Sequence, residues 1–402
     1  MLMNKAKCIV VLLLALTFVC SAQNKKLKPN KRLLKVIDQN FKDGASQYNF
    51  QMKNIPEGKF PKTYYSEEDK LEFSGSDWWC SGFYPGTLLY LYEQTKQQTL
   101  LTEADRMLNL LKKEQFNKTT HDLGFMMYCS FGNANRITPK PEYKDILINS
   151  AKSLSTRFNP TAGAIKSWDN PDPSKLLVII DNMMNLKLLF WATQVTGDSS
   201  YYKIAVTHAN TTLKNHFRDD RSSFHLITYN ATDGTVRTKT TVQGAADTSA
   251  WARGQSWGLY GFTETYRETK DKKYLDQAKG IAKFILDNPN LPADKIPYWD
   301  FDAPGIPNAL RDASAGAVIA SALIELSGYV DKPLAKKYKS AAETILFSLS
   351  SDQYKATRNT NGGYILKHSV GHFSAKSEVD VPLTYADYYF IEAMKRYKDL
   401  GN

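Results

Sequence analysis

The residues best able to do chemistry recur in a few short runs: SDWWCSGFYPG (76–86), THDLGF (120–125), SWDNPD (167–172), IIDNMMNL (179–186), VQGAADTSAWARGQSWG (242–258) and RDASAG (311–316). Asp181 stands out because it follows the apolar run LLVII. Removing a lone carboxylate from water costs several kcal/mol unless it is paired, so Asp181 requires a partner or a task. Aromatic faces stack on sugar rings, while carboxylates, His and Arg bind hydroxyls and acidic groups. Two carboxyl groups facing one another across a cleft are the usual equipment of glycoside hydrolysis, and Asp122 and Asp181 are spaced to begin neighbouring helices. Each residue also has a plainer explanation. Asp122, Asp181 and Asp312 suit helix N-caps. Trp79, Phe83 and Trp257 suit a core, and His225 suits a half-buried strand.

The elements that must position these groups are helical. The segments 91–111, 191–213, 265–286 and 323–349 each run from a helix end through a short polar turn into a new helix. Helices alternate between two kinds. An amphipathic, charged set is predicted near 33–49, 100–116, 141–158, 201–217, 272–287 and 334–350. A set richer in aromatic and small residues is predicted near 79–95, 122–132, 180–196, 252–268, 312–327 and 384–399. Six of each, alternating, predict an all-α (α/α)6 barrel, a six-hairpin toroid with a few short strands in its loops. A solenoid would need more uniform repeats. A hairpin is expected over 224–242, turning at Asp233-Gly234. Long connections at 50–78, 159–179, 218–251, 288–311 and 351–383 all precede inner helices, so a cleft forms at those helix starts. Helix N-termini there favour anionic ligands.

Composition sets the outer limits. The chain has 402 residues and a formal charge of +11, which favours anionic partners such as acidic polysaccharides. No dense Lys/Arg block beyond the tail NKKLKPNKRLLK argues for nucleic acid. Residues 1–22 read as a signal peptide, with Lys5 and Lys7 before a short apolar stretch and small residues at Cys20–Ala22. Lipidation at Cys20 is the alternative. An exported, most simply periplasmic, protein is expected, with 23–402 as one catalytic domain and no integral membrane segment. Cys80 and Cys129 then form no disulfide framework. No zinc spacing occurs, and neither metal nor cofactor is expected.

Taken in order, WWCSGFYPG, HDLGF, IIDNMMNL, VQGAADTSAWARGQSWGLYG and SEVDVPLTYADYYFIEAM resemble the motifs of the unsaturated glucuronyl hydrolases, glycoside hydrolase family 88. The resemblance spans the mature chain and implies the same (α/α)6 fold. It also implies an unusual glycosidase, one that works downstream of a polysaccharide lyase on oligosaccharides ending in a Δ4,5-unsaturated uronic acid. Such enzymes hydrate the C4=C5 vinyl ether, and the resulting hemiketal opens to release the shortened saccharide. By motif position, Asp181 matches the general acid/base and Asp122 the second essential carboxylate. Gln243, Arg253, Trp257 and His225 match substrate-contacting positions, and His121, Trp168, Trp79 and Phe83 further pocket residues.

Between 362 and 383, Lys367, His368, Ser369, His372, Ser374 and Lys376 would suit a sulfate on the leaving sugar. A solvated polar loop is the other reading. Glycosaminoglycans and ulvan are the parent polymers considered. The alternatives to this function are an unsaturated rhamnogalacturonyl hydrolase, a non-catalytic glycan-binding protein, and a lyase on a similar toroid.

Overall fold

A computed structural model describes residues 28–400. The expected signal peptide lies outside the described residues. Twelve α-helices run through them: α1 (Lys31–Gln51), α2 (Phe83–Thr95), α3 (Gln98–Leu111), α4 (Asn133–Ile137), α5 (Pro141–Ser155), α6 (Leu186–Thr196), α7 (Ser199–Asn215), α8 (Ala252–Thr269), α9 (Lys272–Asp287), α10 (Ala313–Leu326), α11 (Lys332–Leu349) and α12 (Thr384–Asp399). The even-numbered helices form the inner ring. Residues Gly124–Gly132, just ahead of α4, make the contact to α6, and α12 closes the ring by touching both α10 and α2. The (α/α)6 barrel is therefore present, with predicted and observed helices agreeing to within a few residues at most ends.

The repeating turn has a local cause. Inner helices α2, α6 and α8 stop at Lys96, Gly197 and Lys270, whose φ values of 59°, 75° and 56° are left-handed and cannot continue a helix. An aspartate starts each of the outer helices α7, α9 and α11. Asp198 accepts from the Ser200 amide, Asp271 from Lys273 and Asp331 from Leu334, satisfying N–H groups that a helix start leaves unpaired. The two rings bury different surfaces. In α10, 13 residues from Ala313 to Leu326 are buried, as small and apolar side chains on every face demand. Outer helices such as α9 bury one stripe, from Tyr274 through Ala278 and Ile281 to Ile285.

Two inner helices begin abnormally, and these carry the candidate acids. Residues Gly124–Gly132 form a π-helical stretch leading into α4, and Ile180–Asn185 form a 3-10 turn leading into α6. Widened and tightened turns of this kind often accompany functional sites.

The long loops carry small antiparallel sheets. Strands β1 (Phe60–Tyr65) and β2 (Lys70–Ser74) pair, as do β3 (Phe158–Asn159) and β4 (Ala164–Ile165). The expected 224–242 hairpin is β6 (Leu226–Asn230) with β7 (Val236–Thr240). It gains a third strand, β5 (Lys175–Ile179), in a segment expected to be loop. The apolar run before Asp181 is thus a strand, and Leu176 and Val178 pack with Ala162, Ala164, Ile227 and Tyr229 in a small second core. Strands β8 (Ser369–His372) and β9 (Ser377–Val381) form the last hairpin, just ahead of α12. No helix among the described residues is long and apolar enough to cross a membrane.

Candidate active site

The three aspartates that suited helix caps separate cleanly. Asp312 is a cap: its Oδ1 accepts from the Ser314 and Ala315 amides. Asp181 and Asp122 cap nothing, for neither side chain accepts from a helix amide. Both are about nine-tenths buried, at 8% exposure each. Asp122 takes one hydrogen bond, from the Thr120 hydroxyl at 2.9 Å. Asp181 Oδ2 has no partner at all. Burial pushes the Asp181 carboxyl up to about 7, with the Asp122 charge adding to the rise and Arg253 opposing it.

The two amides behind Asp181 do structural work. Asn182 donates to the Ile165 carbonyl at 2.6 Å, fixing the 3-10 turn to β4. Asn185 accepts the Phe125 amide at 2.9 Å, a group in the first π turn that has no helical partner. Gly124 makes this contact possible, since a Cβ there would stand 2.4 Å from Asn185 Cα. The helix starts bearing Asp122 and Asp181 are thereby pressed together. The sequence assigns neither Asn185 nor Gly124 a role; the signal available there was a Gly two residues after a candidate catalytic Asp.

His225 faces Asp181, with Nε2 3.8 Å from Oδ2. Its tautomer follows from its other nitrogen. The amides of Val242 and Gln243 both donate to Nδ1, at 3.0 and 3.3 Å, so the ring proton sits on Nε2 and points at the acid. Burial, and after it the Arg253 charge, holds the His225 pKa down at about 3, so the ring is neutral. Its Nε2 and the indole Nε1 of Trp257 lack partners, like Asp181 Oδ2. The Trp257 indole lies near enough to draw down the Asp181 pKa, yet outside hydrogen-bonding geometry. Three buried polar atoms around one spot therefore await a ligand.

His121 supports the other carboxylate. Its Nδ1 donates to the Ser167 carbonyl at 3.0 Å, while Nε2 lies 3.2 Å from Asp122 Oδ1. Burial pushes its pKa down, against the opposing pull of Asp122. The neutral ring turns a lone pair toward the carboxylate, and a sugar hydroxyl seated beside the pair would give either acceptor a donor.

The aromatic residues split by depth. Trp79 is half-buried, 4.8 Å from the Tyr385 ring and 5.5 Å from Phe125. Trp168 is also half-buried and meets His225 edge-on at 6.1 Å. Phe83 and Trp257 are fully buried: Phe83 lies beneath Trp79, and Trp257 packs on Phe125 and Tyr389. Trp79 and Trp168 thus present ring surface, whereas Phe83 underpins it.

Arg253 and Gln243 reach the site from α8 and the loop before it. Arg253 bonds the carbonyls of Val370 and Gly371, the latter at 2.6 Å, and Asp312 at 3.2 Å. Trp251 stacks 4.5 Å away. Gln243 donates to the same Gly371 carbonyl at 2.9 Å. The β8–β9 hairpin is thus fastened over the site, and Phe373 stacks on Trp299 at 4.4 Å to complete the join.

The residues considered for a sulfate do not converge. Lys367 binds the Asp352 carbonyl, His368 binds Asp380 and Ser369 is buried. Ser374 and His372 both hold the Val242 carbonyl, and Lys376 lies exposed in the hairpin turn. No group of three or more His, Cys, Asp and Glu among the described residues is placed to hold a metal ion.

Known proteins share this arrangement at the level of chain and fold. The chain is 43% identical to the unsaturated glucuronyl hydrolase of Formosa agariphila over 395 residues, covering 97% of this chain and 98% of the relative. It is 35% identical to the unsaturated chondroitin disaccharide hydrolase of Streptococcus pneumoniae over 330 residues, 80% of this chain and 82% of the relative. The crystal structure of an unsaturated glucuronyl hydrolase specific for heparin superposes with a TM-score of 0.88 at 46% identity, covering 91% of this chain and 97% of that one. The enzyme from Streptococcus agalactiae gives 0.85 at 29% identity, over 91% and 93%. The family model for Glycosyl Hydrolase Family 88 matches residues 48–401, and the chain belongs to that family of glycosidases.

Proposed function

We propose that the protein removes the terminal Δ4,5-unsaturated uronic acid from oligosaccharides derived from glycosaminoglycans. The observation that carries this reading is Asp181: a buried, uncapped, unpartnered carboxyl whose pKa is raised to about 7, beside Asp122, in a family 88 chain. An acid with that pKa is largely protonated in mildly acidic solution, about half protonated at neutrality, and can act as a general acid there. Asp181 gives its proton to C4 of the vinyl ether, leaving an oxocarbenium-like C5. Water adds at C5, and the Asp181 carboxylate takes the water's proton, which restores the acid. The hemiketal then opens, and the saccharide leaves.

Asp122 and His121 hold sugar hydroxyls, and Arg253 supplies positive charge for the uronate carboxylate. Trp79 and Trp168 offer ring faces to the sugar. The double bond in this substrate is the product of a β-eliminating lyase, so the enzyme works after one. Residues 1–22 support export, most simply to a periplasm.

The test is direct. The chain is incubated with lyase-generated disaccharides of heparin, chondroitin, hyaluronan and ulvan, and the ultraviolet absorbance of the double bond is followed. Loss on a glycosaminoglycan disaccharide is expected. No loss on any of the four would reject the function, and loss on ulvan alone would move the substrate class.

A further inference from the structure

Asp300 is a completely buried carboxylate outside the acid pair. Taking it out of water is costly without a partner, yet no Lys, Arg or His among the described residues forms an ion pair with it. Arg218, which feels its charge, donates to the Asp247 carbonyl at 2.6 Å instead, and nearby Asp302 adds like charge. The bonds of Asp300 go to amides and one hydroxyl. Its Oδ2 accepts from the Ala245 amide at 2.9 Å and the Ser249 hydroxyl at 2.7 Å, and its Oδ1 from the Asp302 amide at 2.9 Å. The first two bonds clasp the loop 241–249, between β7 and α8. Gly244 allows the approach, since a Cβ there would stand 3.1 Å from Asp300 Oδ2 and 2.6 Å from Thr241 Oγ1. Asp300 is itself held in place: the Phe301 amide donates to the Ala250 carbonyl at 2.9 Å, and the Ala252 amide to Trp299 at 3.1 Å. The clasped loop carries the Val242 and Gln243 amides that bond His225 Nδ1, and Ala245 follows Gln243 by two residues. From the other side, His372 and Ser374 hold the Val242 carbonyl at 2.9 and 3.1 Å.

We propose that Asp300 is a positioning residue for the reaction: by clasping the loop at Ala245 and Ser249 it keeps two amides on His225 Nδ1, and so keeps the Nε2 proton aimed at Asp181. The catalytic half of this inference rests on the reaction proposed above. As Asp181 gives up its proton, charge develops on a carboxylate whose Oδ2 lies 3.8 Å from His225 Nε2. A donor already aimed at that oxygen stabilises the charge without having to reorganise. With the loop released, Nδ1 loses the two amides and the ring is free to carry its proton there. Nε2 then turns a lone pair toward the anion, and the donor is lost.

The test reads the ring and the rate together in the full chain. Nitrogen NMR of histidine-labelled protein shows which His225 nitrogen carries the proton, its signals assigned by their loss in His225→Gln. The wild type is expected to hold the proton on Nε2. Asp300→Ala should move it at least partly to Nδ1 and lower kcat on an unsaturated uronyl disaccharide by about tenfold or more. Asp300→Asn still offers the Ala245 amide an acceptor and should keep the Nε2 proton and most of kcat. Ser249→Ala removes one donor of the clasp while leaving Asp300 in place, and should shift both readouts in the same direction by less. It decides the matter by the same criteria if Asp300→Ala does not fold. A ring proton that stays wholly on Nε2 overturns the proposal even where the melting temperature falls, since the carboxylate then serves packing alone. A displaced proton with unchanged kcat overturns the catalytic half. A wild type that consumes no unsaturated disaccharide rejects the reaction, and the ring signals of Asp300→Ala still decide whether Asp300 sets the tautomer.

Discussion

The side-chain oxygen of Asn185 accepts the backbone N–H of Phe125 at 2.9 Å, and this bond joins the two helix starts that carry Asp181 and Asp122. Asn185 stands four residues after Asp181, and Phe125 three after Asp122. The separation of the two carboxyls is therefore set by a side chain that touches neither. Because the first turns are 3-10 and π, their N–H groups lack the ordinary ladder, and the amide fills part of that gap.

Gly124→Ala tests this clamp. The new methyl would meet Asn185 Cα at 2.4 Å and Oδ1 at 2.7 Å, too close for either backbone to yield cheaply. Overpacking of this kind costs about 1–3 kcal/mol. Spreading the helix starts by even an ångström is expected to lower kcat by about a hundredfold. Thermal melting and steady-state rates together check it. A fall in melting temperature with normal kcat would show that the clamp serves only packing.

Asp181→Asn separates catalyst from binder. Turnover is expected to fall by roughly a hundred- to ten-thousandfold, because the proton donor is gone. Stability should move the other way at alkaline pH. The folded-state pKa, about 7, lies above the ordinary aspartate value of 3.8. Stability from this group is thus complete below the lower value and lost as pH rises toward 7. At pH 8 the wild type buries an ionised, unpartnered carboxylate, so the amide variant should melt at the same temperature or higher. A glycan-binding protein without activity would show no rate to lose.

How much of this was legible follows from what each feature depends on. Helix alternation is a local pattern, and polar turns at Lys96, Gly197 and Lys270 mark the hairpins in the sequence. The strand before Asp181 was not seen, because LLVII is short and apolar on every face, and its partner β6 lies some fifty residues away. Asp312 and Asp181 look alike in sequence, as aspartates ahead of apolar helices. Only the geometry makes one a cap and the other an unpartnered acid. Arg253 was found from its motif, but its bonds to Val370 and Gly371, more than a hundred residues on, are tertiary facts that no spacing reveals. The sulfate candidates fail to converge for the same reason: neighbours in sequence, they are dispersed by a strand pair and a turn.

Phe373→Ala probes the fastening of the hairpin. Phe373 stacks on Trp299 and is 39% exposed, so its removal costs little core packing. It does release the strand whose carbonyls position Arg253 and Gln243. KM for an unsaturated disaccharide is expected to rise several-fold, with a melting temperature near that of the wild type. An unchanged KM would mean that the carbonyl bonds hold the hairpin without the stack.

The pH profile closes the case for the acid. Activity is expected to fall above pH of about 7, as Asp181 loses the proton it must donate. His225 cannot supply that limb, because burial keeps it neutral down to about pH 3. Asp122 raises the Asp181 pKa by its charge, so Asp122→Asn should move the alkaline limb to lower pH while also reducing kcat. Residual rates of this variant, measured from pH 5 to 9, decide the matter. A limb that stays in place would separate the two carboxyls electrically and leave Asp122 a sugar-binding group alone. A limb that moves upward would reverse the assigned direction of the coupling.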